Sequence, residues 1–255
     1  MSRLERAFRG VTLRASREVR DLPPQIPETR LPIYSEAFLE AQRKQSERDT
    51  RMAAIVPTMV RNNIGFGQDR TVDLLITEDG SEYVAKKLKD SSRPYMVFGL
   101  GIPAGEIPCD TDTTGAREEL VKSRADVVVD PHVVADKLRL THILADTYLD
   151  RGDHLILPTA TVVVGDEVQD RQRYIPKMEP YPGVVRDFRE VALEEQEKVK
   201  LFRKLQERWK DMIRTPDFKN MPSDVQDYWT TFPPDSGYGT NARFLGLGNV
   251  LAIDY

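Results

Sequence analysis

Apolar positions along the chain change their period several times, and each change marks an element. In residues 71–77 and 82–88, TVDLLIT and EYVAKKL, β-favouring runs flank Glu78-Asp79-Gly80-Ser81. Asp-Gly between such runs predicts a hairpin, because glycine takes positive φ without steric penalty. Residues 95–100, YMVFGL, predict a third, buried strand, and 155–164, LILPTATVVV, a further one interrupted at Pro158. Ser35 predicts the start of a helix that Pro57 ends near Val56. Its surface is almost wholly polar, which leaves Phe38, Leu39, Met52 and Ile55 to dock it. Thr113 or Thr114 caps a short helix over 115–125. Asp130-Pro131 opens a longer one, with Asp as N-cap and Pro preset for the first helical position. Val134, Leu138, Thr141, Ala145 and Leu149 then recur at intervals of three or four, and Gly152 stops the run. Residues 168–187 read as a polar, proline-containing crossing. The longest periodic segment is about 188–214. Val191, Glu195, Val199, Phe202, Leu205, Trp209, Met212 and Ile213 form its stripe, with one polar gap at Glu195.

This pattern predicts an α+β fold. A small mixed or antiparallel sheet joins several helices, one of them long and amphipathic, and extended arms leave at both ends. Residues 1–33 are the first arm, ending in a linker with Pro23, Pro24, Pro27 and Pro32. Residues 34–214 form the core. Residues 215–255 read as an extended docking tail in which only 222–229 looks helical. Its final stretch crowds Phe244, Leu245, Leu247, Val250, Leu251, Ile253 and Tyr255 around Gly246 and Gly248. Such an apolar end must be buried, and insertion into a neighbouring subunit by strand addition is the expectation.

Charge adds one feature. The net charge is −4, which argues against a protein that coats nucleic acid, since phosphate binding needs clustered Lys and Arg. The first twenty residues depart from this, with Arg3, Arg6, Arg9, Arg14, Arg17 and Arg20 opposed by Glu5 and Glu18. Leu4, Phe8 and Val11 fall on one helical face there. An Arg-rich, acid-poor amphipathic start resembles a mitochondrial targeting segment, and its basic face is the one place where nucleic acid could be met. The single cysteine, Cys109, offers no intrachain disulfide. No apolar run approaches the roughly 20 residues of a membrane-spanning helix.

The candidates for chemistry fail one by one. Asp110-Thr-Asp112-Thr-Thr-Gly115 opens like a calcium loop, but Val121 stands where the bidentate Glu is needed. Gly99, Gly101 and Gly105 are out of step with a dinucleotide fingerprint, and Pro103 and Pro108 replace its helix. Gly65-Phe-Gly67 and Gly246-Leu-Gly248 read as turns or close backbone approaches. His132 and His142 lie at opposite azimuths of one helix, and His154 beside Asp153 reads as turn surface. No nucleophile elbow exists, and Cys109 has no basic neighbour in sequence.

The expectation is therefore a non-catalytic accessory subunit of a large assembly, without cofactor or metal, acting through contacts with other protein subunits. A targeting-like N-terminus and acidic net charge favour a mitochondrial complex of the respiratory-chain or ATP-synthase type. The alternatives are a mitoribosomal subunit, an enzyme whose site is assembled from distant residues, and a viral or phage structural protein. The residues expected to meet partners are Arg3, Arg6, Phe8 and Arg9 in the arm, Phe202 and Trp209 on the long helix, and Phe244, Leu245, Leu247 and Tyr255 in the tail.

Overall fold

A computed structural model describes residues 32–66, 70–88, 130–176, 188–231, 233–234, 242–246 and 249–252. Residues from Ile33 onward form one compact unit, separate from Met1–Pro32. Helix α1, Glu36–Ala53, begins where Ser35 Oγ accepts the Phe38 amide proton, so the capping expectation holds. Its buried face is Phe38, Ala41, Gln45 and Asp49, at spacings of three and four. Only Phe38 of the expected docking residues is deep; Leu39 is exposed. The helix is held as much by two polar side chains as by its apolar ones.

Five strands follow in one antiparallel sheet. They are β1 (Met59–Phe66), β2 (Arg70–Ile76), β3 (Glu82–Leu88), β4 (Ala160–Val164) and β5 (Glu167–Arg173), in the order β1-β2-β3-β5-β4. The fold is α+β. The β2–β3 hairpin turns at Gly80, whose φ is +80°. Asp79 accepts from Thr77 Oγ1 and from the Ser81 amide and hydroxyl, and these bonds hold its carboxyl below the usual range. The expected strand over 95–100 and helix over 115–125 lie outside the described residues.

Strand β5 corrects the expectation of a crossing over 168–187. Gly165, at φ +60°, and Asp166 form the two-residue connection from β4 to β5. Five consecutive β5 residues are buried, from Val168 to Gln172, and four of them are polar. A strand lying between β3 and β4 is covered on both faces, so each polar group needs a partner. Gln172 Nε2 donates to Thr159 Oγ1 at 2.9 Å, Arg171 Nη1 to the Met52 carbonyl at 2.9 Å, and Thr161 Oγ1 to Asp170 Oδ1 at 2.9 Å.

Between β3 and β4 comes α2, Pro131–Leu144, capped by Asp130 and continuing as a π-helical stretch, Ala145–Asp150. Arg151 ends it in the left-handed region at φ +54°. The Asp150 carboxylate then takes the amides of Leu155 and Ile156. Arg208 Nη1 covers the last carbonyls, Leu149 and Asp150, at 2.7 Å each. Helix α3, Phe188–Met212, matches the long predicted helix. Its inward stripe runs through Leu201, Phe202, Leu205 and Met212, while Val199 is exposed.

The C-terminal segment departs furthest from the sequence reading. Thr215 caps α4, Pro216–Lys219, and α5 is Ser223–Thr231. Phe218, Met221, Val225, Tyr228 and Trp229 belong to the same core cluster as Phe38, Leu138 and Phe202. Residues 215–231 are thus part of the domain rather than an extended tail. Strands β6 (Ala242–Gly246) and β7 (Asn249–Ala252) form a hairpin. Ala252 is fully buried, its amide donates to the Leu155 carbonyl, and its carbonyl accepts from Leu157, both at 2.8 Å. The main-chain groups of β7 are paired within the chain, so the predicted insertion into a neighbour is replaced by closure on the domain itself.

Candidate functional site

Alternation along the strands separates two buried sheet faces. Val84, Lys86, Val168, Asp170 and Thr161 share the face on which α2 packs, because His142 of α2 reaches Asp170 there. Ala85, Lys87, Asp73 and Gln169 share the other, where Lys87 pairs with Asp73 at 3.2 Å and Glu167 at 3.4 Å.

The helix-facing side carries the chemistry. Lys86 is 7% exposed and Asp170 2%, and the two stand directly opposite each other across β3 and β5. Across β2 and β3, Lys86 stands opposite Val72. The His142 Nε2 to Asp170 Oδ1 separation is 3.2 Å, and Thr161 Oγ1 donates to that same oxygen. A buried ammonium and carboxylate are expensive to desolvate, and apolar residues of like volume often serve stability as well.

The connection from β1 to β2 adds to this. Gly65 lies in β1 and Gly67 follows it, then four residues lead to Val72. Val84-Ala85-Lys86 follows on the next strand. A G-x-G-x-x-x-x-V run over a strand turn, with a lysine on the third strand, is the arrangement by which kinases cover and grip nucleotide phosphates. Here the register brings Val72 and Lys86 side by side on one face. Sequence supplies two more positions, both outside the described residues: Asn241 immediately before β6 and Asp254 two residues past β7. Since Ala242 pairs with Ala252, both flank the same end of one hairpin. An Asn and an Asp so spaced match the two residues that hold magnesium in kinases.

A second polar node ties α1 to this layer. Asp49 accepts from Arg139 Nε at 2.7 Å, Gln45 Nε2 at 2.7 Å and the Thr161 amide at 2.9 Å. Arg48 pairs with Asp146 at 2.8 Å and donates to the Thr159 carbonyl. These contacts fix α1 against α2 and the start of β4. Elsewhere Asp217, buried, accepts from the Ser35 amide and hydroxyl and from the Tyr148 hydroxyl, and it joins α1, the π-helical stretch and α4.

The sequence-predicted partner residues are placed differently. Phe202 is in the core, so it does not face a partner. Trp209 packs against that core and donates its indole N–H to the Trp229 carbonyl at 2.9 Å. Phe244 and Leu245 lie in β6. Arg3, Arg6, Phe8, Arg9, Leu247 and Tyr255 lie outside the described residues. Val72, Lys86 and Asp170 escape the sequence reading. Their signal is the interval from Gly65 through Gly67 to Val72 and on to Lys86, which is visible only when the glycines are read together with the next two strands.

No family model matches the chain, and no curated protein is similar to it. Among the described residues no helix is long and apolar enough to cross a membrane, and no group of three His, Cys, Asp or Glu side chains could hold a metal ion.

Proposed function

We propose that the unit binds a nucleoside triphosphate with a divalent cation against the helix-facing side of the sheet, for phosphoryl transfer. One observation carries the reading. Val72 and Lys86 are opposed in register on that face, directly after the Gly65–Gly67 connection. In this arrangement the glycines let the backbone approach the phosphates, Val72 and Val84 cover the base, and Lys86 meets phosphate oxygens. Asn241 and Asp254 supply hard oxygen ligands of the kind magnesium prefers. Asp235, six residues before Asn241, is the position for an acid that orients the acceptor hydroxyl.

The chain departs from the usual kinase pattern at several points. Arg70 stands where the third glycine is expected, Pro233-Pro234 precede Asp235, and the interval from Asp235 to Asn241 is one residue longer than usual. Residues 131–144 carry no glutamate. These departures bear on turnover more than on nucleotide binding, because the phosphate-covering turn and its lysine are retained.

The reading as a non-catalytic mitochondrial subunit rests on the absence of any surviving motif. The Gly65–Val72–Lys86 spacing takes that ground away, and nothing among the described residues speaks for a respiratory-chain, ATP-synthase, ribosomal or viral assembly. Thermal unfolding with Mg–ATP tests the nucleotide reading. At about 100 times Kd, binding adds about 2.7 kcal/mol, or roughly 5–10 °C in Tm for a domain this size. Lys86→Met should remove most of that rise. No shift at millimolar Mg–ATP in the wild-type protein overturns the reading.

A further inference from the structure

Kinases hold the β3 lysine with a glutamate from the neighbouring helix. This chain has no such residue in place. The only acid in α2 is Asp136, which is exposed and paired with Arg139 at 2.7 Å. Lys86 is nonetheless buried, and a buried ammonium requires an anion. Asp73 and Glu167 serve Lys87 on the opposite face. On the Lys86 face the directly opposed residue is Asp170, and opposed pairs have Cβ atoms about 4.5–5.5 Å apart. Its carboxylate is oriented from the far side by Thr161 Oγ1, at 2.9 Å, and by the His142 ring, 3.2 Å away.

We propose that Asp170, from strand β5, is the residue that holds the Lys86 ammonium. The task of the helix glutamate passes to the sheet, and α2 contributes His142 behind the carboxylate instead of an acid beside the lysine. Asp170 is then a positioning residue, acting through Lys86. That role rests on the nucleotide reading, whereas the pairing itself does not. One consequence separates this arrangement from the usual one. A sheet-to-sheet pair keeps its geometry when the helix shifts, so Lys86 stays in place whether or not α2 moves.

The test reads Lys86 directly. The folded full chain is treated briefly with an N-hydroxysuccinimide acetylating reagent, and modification of Lys86 is followed by mass spectrometry relative to exposed Lys44. Asp170→Asn should raise the Lys86 rate about tenfold or more, since loss of an adjacent anion frees the amine to lose its proton. Asp170→Glu keeps the charge and should stay within about threefold of wild type. Thr161→Val removes a bond to the same carboxylate without removing the anion, and should also stay within about threefold. Equal rises in Asp170→Asn and Thr161→Val mean general loosening and overturn the proposal, as does no rise in Asp170→Asn. Should Asp170→Asn fail to fold, the double variant with Lys86→Met regains folding, because both charges are gone; failure to regain it also overturns the pairing. Mg–ADP is added in a separate arm with wild-type protein. Protection of Lys86 supports the nucleotide reading, and its absence counts against that reading while the Asp170 variants still decide the pairing.

Discussion

Replacing Asp49 by alanine probes how α1 is attached. The carboxylate accepts three bonds, from Gln45, Arg139 and the Thr161 amide, and it links α1 to α2 and β4. Gln45 and Thr161 are buried, so alanine leaves two donors without water, at about 1–3 kcal/mol each. Arg139 also loses a partner, but its side chain is 31% exposed and can rehydrate, so its share is discounted. The sum is about 3–5 kcal/mol, or roughly 10 °C in Tm. Urea unfolding followed by far-ultraviolet circular dichroism measures it, with an unchanged m-value confirming that one cooperative unit is observed. Arg139→Met provides the cross-check: added to Asp49→Ala, it should cost clearly less than it does alone. A loss under about 1 kcal/mol, or strict additivity of the two changes, refutes the view that this node holds α1 on the sheet.

Trp229 is 1% exposed within the core cluster, so Trp229→Ala should cost about 3–5 kcal/mol in the same assay. Removing residues 241–255 should lower the Tm of the isolated chain by more than about 4 °C, because buried Ala252 and its two main-chain bonds are lost; an unchanged Tm would place the hairpin outside the domain. Asp153 is held at about 2, below its usual 3.8, by hydrogen bonds from Lys204 and Arg208. A depressed carboxyl contributes stability above the unfolded value that disappears as pH falls through the folded one. Asp153→Asn should therefore flatten the stability profile between about pH 4 and pH 2, measured by urea midpoints.

Local rules made much of the architecture legible. Ser35, Asp130 and Thr215 mark helix starts because a short oxygen-bearing side chain satisfies an otherwise open amide, and all three accept such a bond. The β2–β3 hairpin follows from Asp79-Gly80. Strand β5 was hidden because its residues, EVQDRQR, carry the composition of a loop. Their burial is made possible by groups distant in sequence, such as Met52 and Thr159, which no local pattern announces. The two-residue Gly165-Asp166 connection was the available signal. The tail misled for a related reason. Its apolar residues required burial, but periodicity does not say against which surface, and the answer lay in the main chain of 155–157.

The two polar layers differ in what they could be for. At the Asp49 node each bond joins separate elements, and the layer can be understood as fastening. The Lys86–Asp170 layer fastens little that the ladder does not already hold, since β3 and β5 are paired along five registered positions. Two opposite charges there bring a desolvation cost, and an apolar pair of similar volume would suit the surrounding Val84 and Val168. If stability alone set the composition, that pair would be the favoured solution. Replacing both residues together, Lys86→Met with Asp170→Leu, should therefore leave stability unchanged or raise it by up to about 1–4 kcal/mol. On the nucleotide reading the same variant loses Mg–ATP binding. Equal loss of both properties would make the layer structural, and would return Lys86 to the ordinary contents of a core.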